Sequence, residues 1–129
     1  GRLLKRIEPM KSDEKLYRGM SWNTKYPNQK AAYDSFMAQV EEGYFERSTF
    51  ESYSTNAGMV KEKYMDKPTK VFITVVKHSN AKYIGEVVKR YFESNADEQE
   101  VLFSRGGKMK VLKRELREDT LYLTVEEFQ

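Results

Sequence analysis

The run TKVFITVV, residues 69–76, is the feature that most limits the folds open to this chain. All but one of its side chains are β-branched or aromatic, and such residues favour strands because they pack well on a pleated surface. Pro68 directly precedes the run, at a position where a strand tolerates the missing N–H of proline. A strand that is apolar on both faces is typical of the centre of a sheet. We therefore predict a sheet-rich core with this strand near its centre.

Five other segments are rich in strand-forming residues or alternate in polarity, the patterns that indicate strands. They are KLYRGMSW at 15–22, STFESYSTN at 48–56, EVLFS at 100–104, KMKVLKREL at 108–116 and TLYLTVEEF at 120–128. We expect the segment 48–56 to run into a loop at Asn56. We expect Gly106 and Gly107 to turn the chain as in a hairpin.

Helical spacing is found in three stretches. After Asn28, a candidate N-cap, apolar side chains recur at helical intervals as far as Gly43, which suits a helix end because glycine adopts positive φ readily. The segment 57–65 predicts a brief second helix, and 85–99 begins with helical spacing before it becomes a polar loop. Helices early in the chain and strands concentrated late indicate an α+β fold.

Length and composition indicate one folded unit. The 129 residues suffice for a single core, so we expect one domain over 1–129 with residues 1–15 as a lead-in. Aromatic residues make up 13% of the chain, enough buriable area for a folded rather than a disordered protein. The chain begins with glycine instead of methionine, and we expect it to be excised from a longer protein.

Composition also excludes several kinds of site. The chain has no cysteine, and its one histidine, His78, cannot assemble a zinc site by itself, so we expect no metal. We interpret His78 as a surface residue at a strand end. No apolar run approaches the ~20 residues that cross a bilayer, so we expect a soluble domain without a membrane partner. The 23 basic and 20 acidic residues are intermixed, which disfavours a nucleic-acid partner.

The stretch ADEQEVLF, residues 96–103, places Glu98 and Glu100 one residue apart at the start of a strand. In an extended backbone both carboxylates point to the same face, opposite to Val101. Two like charges on one patch raise the carboxyl pKa values unless a cation, a donor or a substrate compensates. The pattern is compatible with a solvated strand end and with a functional pair.

Three segments in order, LYRG at 16–19, FESYS at 50–54 and EQEVLF at 98–103, resemble the motifs of mono-ADP-ribosyltransferases of the arginine/serine/glutamate class. This group includes cholera-like and binary-toxin-like enzymes and many bacterial and phage effectors. The resemblance implies an ADP-ribosyltransferase fold, with two packed, mainly antiparallel β-sheets and a few short helices. Only 17 residues precede Arg18, so the N-terminal helical region of the family is expected to be reduced or missing.

The resemblance also implies roles for the residues that match the first two motifs. Arg18 matches the arginine that holds the phosphate and ribose of NAD, and Gly19 matches the residue whose backbone bonds the nicotinamide carboxamide. Ser52 matches the first serine of a Ser-Thr-Ser motif that supports the catalytic glutamate, and Ser54 matches the third position. Tyr53 departs from the motif, since it stands where the family has threonine, and alternation should send it to the opposite face.

In the third motif, Glu100 matches the catalytic glutamate, which stabilises the positive charge that develops on the ribose as nicotinamide leaves. Glu98 matches the carboxylate that positions and deprotonates the acceptor, and a glutamate there favours an arginine acceptor. The turn at 89–97 matches the substrate-recognition turn of the family, where Tyr91 or Phe92 would contact the target. The loop at 56–67 matches the one that folds over NAD.

We therefore expect transfer of ADP-ribose from NAD to a protein arginine, with release of nicotinamide and slow NAD hydrolysis. The expected partners are NAD, as substrate, and a target protein, and the expected setting is a toxin or effector that is secreted or delivered into a host cell. Two alternatives stay open. One is a non-catalytic NAD-binding or structural module of a viral or secreted particle, and the other is a basic domain that stacks nucleic acid on its tyrosines.

Overall fold

The computed structural model describes residues 11–47, 51–79, 81–83, 100–103 and 106–128, and for residues 82, 83, 100 and 102 it describes the backbone alone. Within these ranges the chain forms eight strands and two helices, which confirms the α+β class. The strands are β1 (Leu16–Trp22), β2 (Tyr44–Arg47), β3 (Tyr53–Ser54), β4 (Thr69–Lys77), β5 (Ala81–Tyr83), β6 (Glu100–Phe103), β7 (Gly107–Arg117) and β8 (Thr120–Phe128). The helices are α1 (Pro27–Glu42) and α2 (Ala57–Tyr64).

The eight described strands form one hydrogen-bonded ladder in the order β2-β7-β8-β4-β1-β3-β6-β5. Among these neighbours β4 and β8 are parallel, whereas the other pairs are antiparallel. The strand predicted to be central, β4, lies inside the sheet as expected.

The sheet curls until its two ends face each other. The guanidinium carbon of Arg47, in the edge strand β2, lies 3.6 Å from the ring centroid of Phe103, in β6 near the other end of the ladder. The fold was expected to have two packed sheets. In the structure these two layers are the two halves of one continuous, mainly antiparallel sheet. One core of fourteen buried residues fills the space between them, contributed by strands of both halves and by Phe36 and Val40 of α1.

A second, smaller cluster lies on the other face of the sheet, where α2 packs. It consists of Val60, Met65 and Phe72, with Tyr17 and Tyr122 packed at its margin. Asn56 caps α2, because its side-chain oxygen accepts a hydrogen bond from the backbone N–H of Met59 at 3.0 Å. The expected loop at Asn56 is therefore the start of a helix, at the position where the second helix was predicted.

The first helix begins two residues earlier than predicted. Pro27 occupies its first turn, where the missing N–H costs no hydrogen bond, and Tyr26 is the cap residue. Asn28 is not the cap, since its side-chain oxygen accepts from the N–H of Gln29 inside the helix. The helix ends as predicted at Gly43, which has φ of 98°.

The predicted hairpin at Gly106 and Gly107 is wrong. Strand β6 pairs with β3 and β5, whereas β7 pairs with β2 and β8, so the two glycines connect distant parts of the sheet. A Cβ on Gly107 would lie 2.8 Å from a guanidinium nitrogen of Arg47, so close packing explains this glycine. The hairpin instead joins β7 to β8 through Glu118, which has a positive φ of 57°.

The interpretation of His78 as a surface residue is also wrong. Its relative exposure is 3%, because the lead-in segment folds over it. The backbone N–H of His78 donates to the carbonyl of Ser12 at 2.9 Å, and its Nε2 lies 2.7 Å from the carbonyl oxygen of Glu14. These contacts between residues far apart in the chain could not be inferred from the residues next to His78.

Several predictions fall outside the described residues. The expectation that the N-terminal helical region of the family is reduced or missing concerns residues 1–10, which are not described. The helix start and the recognition turn predicted within 85–99, and the position of Glu98, also lie outside the described residues. Within the described residues, the helices are too short and too polar to cross a bilayer.

Candidate active site

A cleft opens where β1 separates from β3. Strand β3 is only two residues long and pairs with β1 at one position, Tyr17 with Ser54. Beyond that position the β3 side of β1, residues 18–22, has no strand partner among the described residues. This open edge lines a cleft of about 430 Å³ whose other wall is the end of α2 and the residues that follow it.

Arg18 lines this cleft, and the segment that contains Ser52 and Tyr53 holds its side chain in place. One of its guanidinium nitrogens donates to the backbone carbonyl of Ser52 at 3.2 Å, and the side chain is partly buried. Its guanidinium carbon lies 5.8 Å from the ring centroid of Tyr53. No carboxylate forms an ion pair with Arg18 in the part of the chain that the structure describes. The remaining N–H groups of the planar fork are therefore suited to an anionic ligand.

Gly19 follows Arg18 on the open edge, and its backbone lines the same cleft. A Cβ at this position would lie 2.9 Å from Cγ1 of Val60 and 3.0 Å from Cγ of Met65. Close packing of α2 on β1 is therefore enough to require glycine here. This reason for the glycine is independent of any ligand.

The outer wall of the cleft is tied to β1 through Ser21. Its hydroxyl donates to the carbonyl of Tyr64 at 2.9 Å and accepts from the N–H of Lys67 at 3.3 Å. These bonds hold the segment after α2 beside the cleft, where Lys63 and Lys67 add positive charge to that of Arg18. These lysines were not predicted as site residues. Two lysines four residues apart, at the end of a helix beside a motif strand, are nevertheless a sequence pattern that indicates an anion site.

The serine and glutamate motifs meet on neighbouring strands. Ser54 pairs with Tyr17 of β1 on one side and with Glu100 of β6 on the other. Ser54 is 3% exposed, and its hydroxyl accepts from the N–H of Asn56 at 3.0 Å. Ser52 lies just before β3 and is partly buried. Strand pairing thus brings together the segments of β1, β3 and β6, which are far apart in sequence. Glu98 lies outside the described residues.

Tyr53 packs into the core, on the side that strand alternation predicts. It is 2% exposed, and its ring meets that of Phe103 edge to face, with centroids 5.2 Å apart. Burial raises the pKa of Tyr53, the charge of Glu51 acts in the same direction, and Arg18 and Arg47 oppose them. The tyrosine that replaces threonine in the motif is therefore a neutral core residue, and β3 keeps its place in the sheet.

A buried ion pair lies behind the site, and sequence analysis missed it. Arg47 of β2 and Glu127 of β8 form a salt bridge with side chains 1% and 3% exposed. The other carboxylate oxygen of Glu127 accepts from the backbone N–H and the hydroxyl of Ser79, at 2.6 and 2.8 Å. The pair joins both layers of the curled sheet, since Arg47 also covers the ring of Phe103.

The fold is shared with solved ADP-ribosyltransferases. The chain matches Vis from Vibrio splendidus, in a complex with agmatine, at 18% identity and a TM-score of 0.64, covering 99% of this chain and 54% of that one. It matches HopU1 of Pseudomonas syringae at 13% identity and a TM-score of 0.62, covering 98% and 49% of the two chains. It matches the C3 exoenzyme of Clostridium limosum at 15% identity and a TM-score of 0.58, covering 99% and 65%.

The chain therefore spans about half the length of Vis and HopU1. Among curated protein sequences, none matches it significantly. A family model for the ADP-ribosyltransferase exoenzymes matches residues 3–128, nearly the whole chain. The chain belongs to the ADP-ribosyltransferase exoenzyme family.

Proposed function

We propose that this domain transfers ADP-ribose from NAD to a guanidino group of a target protein, with release of nicotinamide. The observation that carries the proposal is the convergence of the arginine, serine and glutamate motifs on β1, β3 and β6, three neighbouring strands of which β1 lines the cleft. Family membership supports the reaction type.

The charges around the cleft support binding of a dinucleotide. NAD carries two phosphates, and the cleft is lined by Arg18, Lys63 and Lys67, with Asp66 as an acidic lining residue. In the proposed complex the fork of Arg18 binds phosphate oxygens, and the open backbone edge at Gly19 bonds the nicotinamide amide. Nicotinamide then lies at the inner end of the cleft, towards Ser54 and β6.

The proposed chemistry is the cleavage of a glycosidic bond. The bond between C1′ of the ribose and the ring nitrogen of nicotinamide breaks, and both electrons leave with nicotinamide. The carboxylate of Glu100 stabilises the positive charge that develops on the ribose. A guanidino nitrogen of the acceptor then bonds to C1′, and its proton passes to Glu98.

The preference for arginine rests on two observations. Glu98 precedes Glu100 by two residues, and a carboxylate there attracts a guanidinium and accepts its proton. Vis, which shares this fold, was solved with agmatine, a small molecule that carries a guanidino group. Vis is also described as a toxin, which supports a toxin or effector role for this domain.

Transfer of label from isotopically labelled NAD to agmatine tests the proposal. We expect the wild-type domain to form ADP-ribosyl-agmatine and nicotinamide, and Glu100→Gln, which keeps the shape and removes the charge, to lose both products. Glu98→Gln should lose the agmatine product but retain slow release of nicotinamide.

The outcomes separate the alternatives. Calorimetric binding of NAD without any nicotinamide release would favour a non-catalytic NAD-binding module. If turnover occurs with a protein lysate but not with agmatine, mass spectrometry of the modified proteins identifies the side chain, and a modified residue other than arginine would contradict the guanidino acceptor. Equal turnover by wild type and Glu100→Gln would end the proposal.

A further inference from the structure

A row of two aromatic rings between two guanidinium groups crosses the core from the cleft to the buried ion pair. The guanidinium of Arg18 lies over the ring of Tyr53, Tyr53 meets Phe103 edge to face, and Phe103 lies under the guanidinium of Arg47. The salt bridge between Arg47 and Glu127 ends the row. The row connects the cleft strand β1 to β3, β6, β2 and β8.

We propose that Tyr53 is a positioning residue for NAD binding, because its ring fixes the guanidinium of Arg18 beside the cleft. The inference deepens the proposed function and rests on it. Tyr53 occupies the motif position at which sequence analysis noted a departure from the pattern. The departure thus adds a contact that a threonine side chain cannot make.

Two consecutive residues restrain Arg18 in different ways. The carbonyl of Ser52 holds one guanidinium nitrogen, and the ring of Tyr53 provides a negatively polarised surface for the group. The ring is itself held by its surroundings, because it is buried and packed on Phe103. A long arginine side chain that is ordered before the ligand arrives loses less conformational entropy on binding, so affinity for NAD increases.

The alternative is that Tyr53 only fills the core. A core role predicts that any truncation lowers the stability of the domain without a specific change in NAD affinity. A positioning role predicts that the effect on NAD passes through Arg18. Two measurements distinguish these roles. The first is whether the effect on NAD affinity requires Arg18, and the second is whether NAD affinity changes when the charge distribution of the ring changes but its volume does not.

The first experiment compares Tyr53→Leu and Tyr53→Phe with wild type in NAD binding and turnover. Tyr53→Phe keeps the ring and should retain the wild-type KM for NAD. Tyr53→Leu should raise KM and the calorimetric Kd roughly threefold to tenfold, with kcat little changed, because a partly buried cation–π contact is intermediate in strength between an exposed and a desolvated one. Phe45→Leu is the matched control, since Phe45 is an equally buried ring that packs on Phe36 of α1. It should lower the unfolding temperature and leave KM unchanged.

The second experiment keeps the volume at position 53 and so does not depend on the folding of Tyr53→Leu. Phenylalanines with increasing numbers of fluorine atoms are incorporated there, which weakens the negative face of the ring stepwise. The Kd for NAD should rise with each step. In an Arg18→Met background the same series should have no effect.

Each result decides the question. A Kd that does not change along the fluorine series, or that changes equally in wild-type and Arg18→Met backgrounds, overturns the positioning role. NAD binding that follows the series in a wild-type domain without turnover would sustain the inference at the level of binding and contradict the proposed reaction. If the wild type neither binds nor cleaves NAD, the proposed function fails, and the inference fails with it.

Discussion

Ser54 lies directly opposite Glu100 in the antiparallel pair of β3 and β6, and opposite Tyr17 of β1 on its other side. This buried serine therefore stands between the strand of the motif arginine and the strand that begins at Glu100. The hydroxyl of Ser54 accepts a hydrogen bond from Asn56, and a hydroxyl that accepts still has its own proton to donate.

We predict that Ser54 supports the reaction at Glu100 by donating that proton to a charged group of the catalytic site. Ser54→Ala should then lower kcat roughly tenfold to a hundredfold with little change in the KM for NAD, because a hydrogen bond to a charged group contributes about 1.5–3 kcal/mol. Steady-state kinetics of nicotinamide release measures both constants. Ser52→Ala is the comparison, since the resemblance gives the supporting role to Ser52 and the backbone carbonyl that binds Arg18 remains. A larger loss of kcat in Ser52→Ala would assign the supporting role to Ser52, as the resemblance implies.

Gly19→Ala should destabilise the domain by about 1–3 kcal/mol, because the added methyl group overlaps Val60 and Met65. Urea unfolding measures the change. Combining it with Val60→Ala should cost less than the sum of the two single changes, since the smaller side chain makes room. The control is Gly58→Ala on α2, whose new methyl group meets only Asn56 Oδ1, at 3.5 Å, and should be neutral or stabilising. A neutral Gly19→Ala would contradict the packing explanation.

The ion pair of Arg47 and Glu127 should be sensitive to the loss of one partner. Arg47→Met or Glu127→Gln alone should lower the free energy of unfolding by about 3–5 kcal/mol, because each leaves a charge buried without its partner. The double variant should lose much less than the sum. In comparison, Asp34→Asn, in the exposed pair with Lys30, should cost only a few tenths of a kcal/mol. Additive single effects in guanidinium unfolding would rule out the coupling.

Stability should fall on acidification through the titration of His78. Its Nε2–H donates to the Glu14 carbonyl, and burial lowers the pKa of the histidine, with a further contribution from Arg47, while Glu14 and Asp13 oppose these effects. The unfolded chain, with an ordinary pKa of about 6.5, therefore takes up the proton first. The free energy of unfolding should be highest above pH 6.5 and fall below it by at most about 1.4 kcal/mol per pH unit.

Urea unfolding at pH 7.5, 6.5 and 5.5 measures this dependence. His78 is the one histidine of the chain, so the slope in this range is assignable to it. The His78→Gln variant should have a nearly flat profile over the same interval, since exposed carboxyl groups titrate mainly at lower pH. An unchanged slope in His78→Gln would show that another group is responsible.

The α+β class, the central β4 strand and the three motif segments follow from local patterns. β-Branched runs, helical spacing and the terminal glycine of α1 depend on interactions between neighbouring residues, and such interactions are visible in one sequence. The resemblance to the family likewise rests on the order of short motifs along the chain. The start of α1 was misjudged by two residues because two good helix-start signals, Pro27 and Asn28, are adjacent.

What only the tertiary structure decided depends on contacts between distant residues. The partners of β6 and β7, the burial of His78 under residues 12–14, and the pairing of Arg47 with Glu127 have no local signal. Gly19 was expected to let a ligand approach the backbone, and Gly107 was expected to turn a hairpin, yet side chains from other elements fill the space beside both glycines. The amino-acid sequence by itself determined the three motifs and six of the eight described strands, whereas β2 and β5 were not predicted. The curl of the sheet determined which of them meet, because burial of a shared core selects one arrangement among many compatible with the same local preferences.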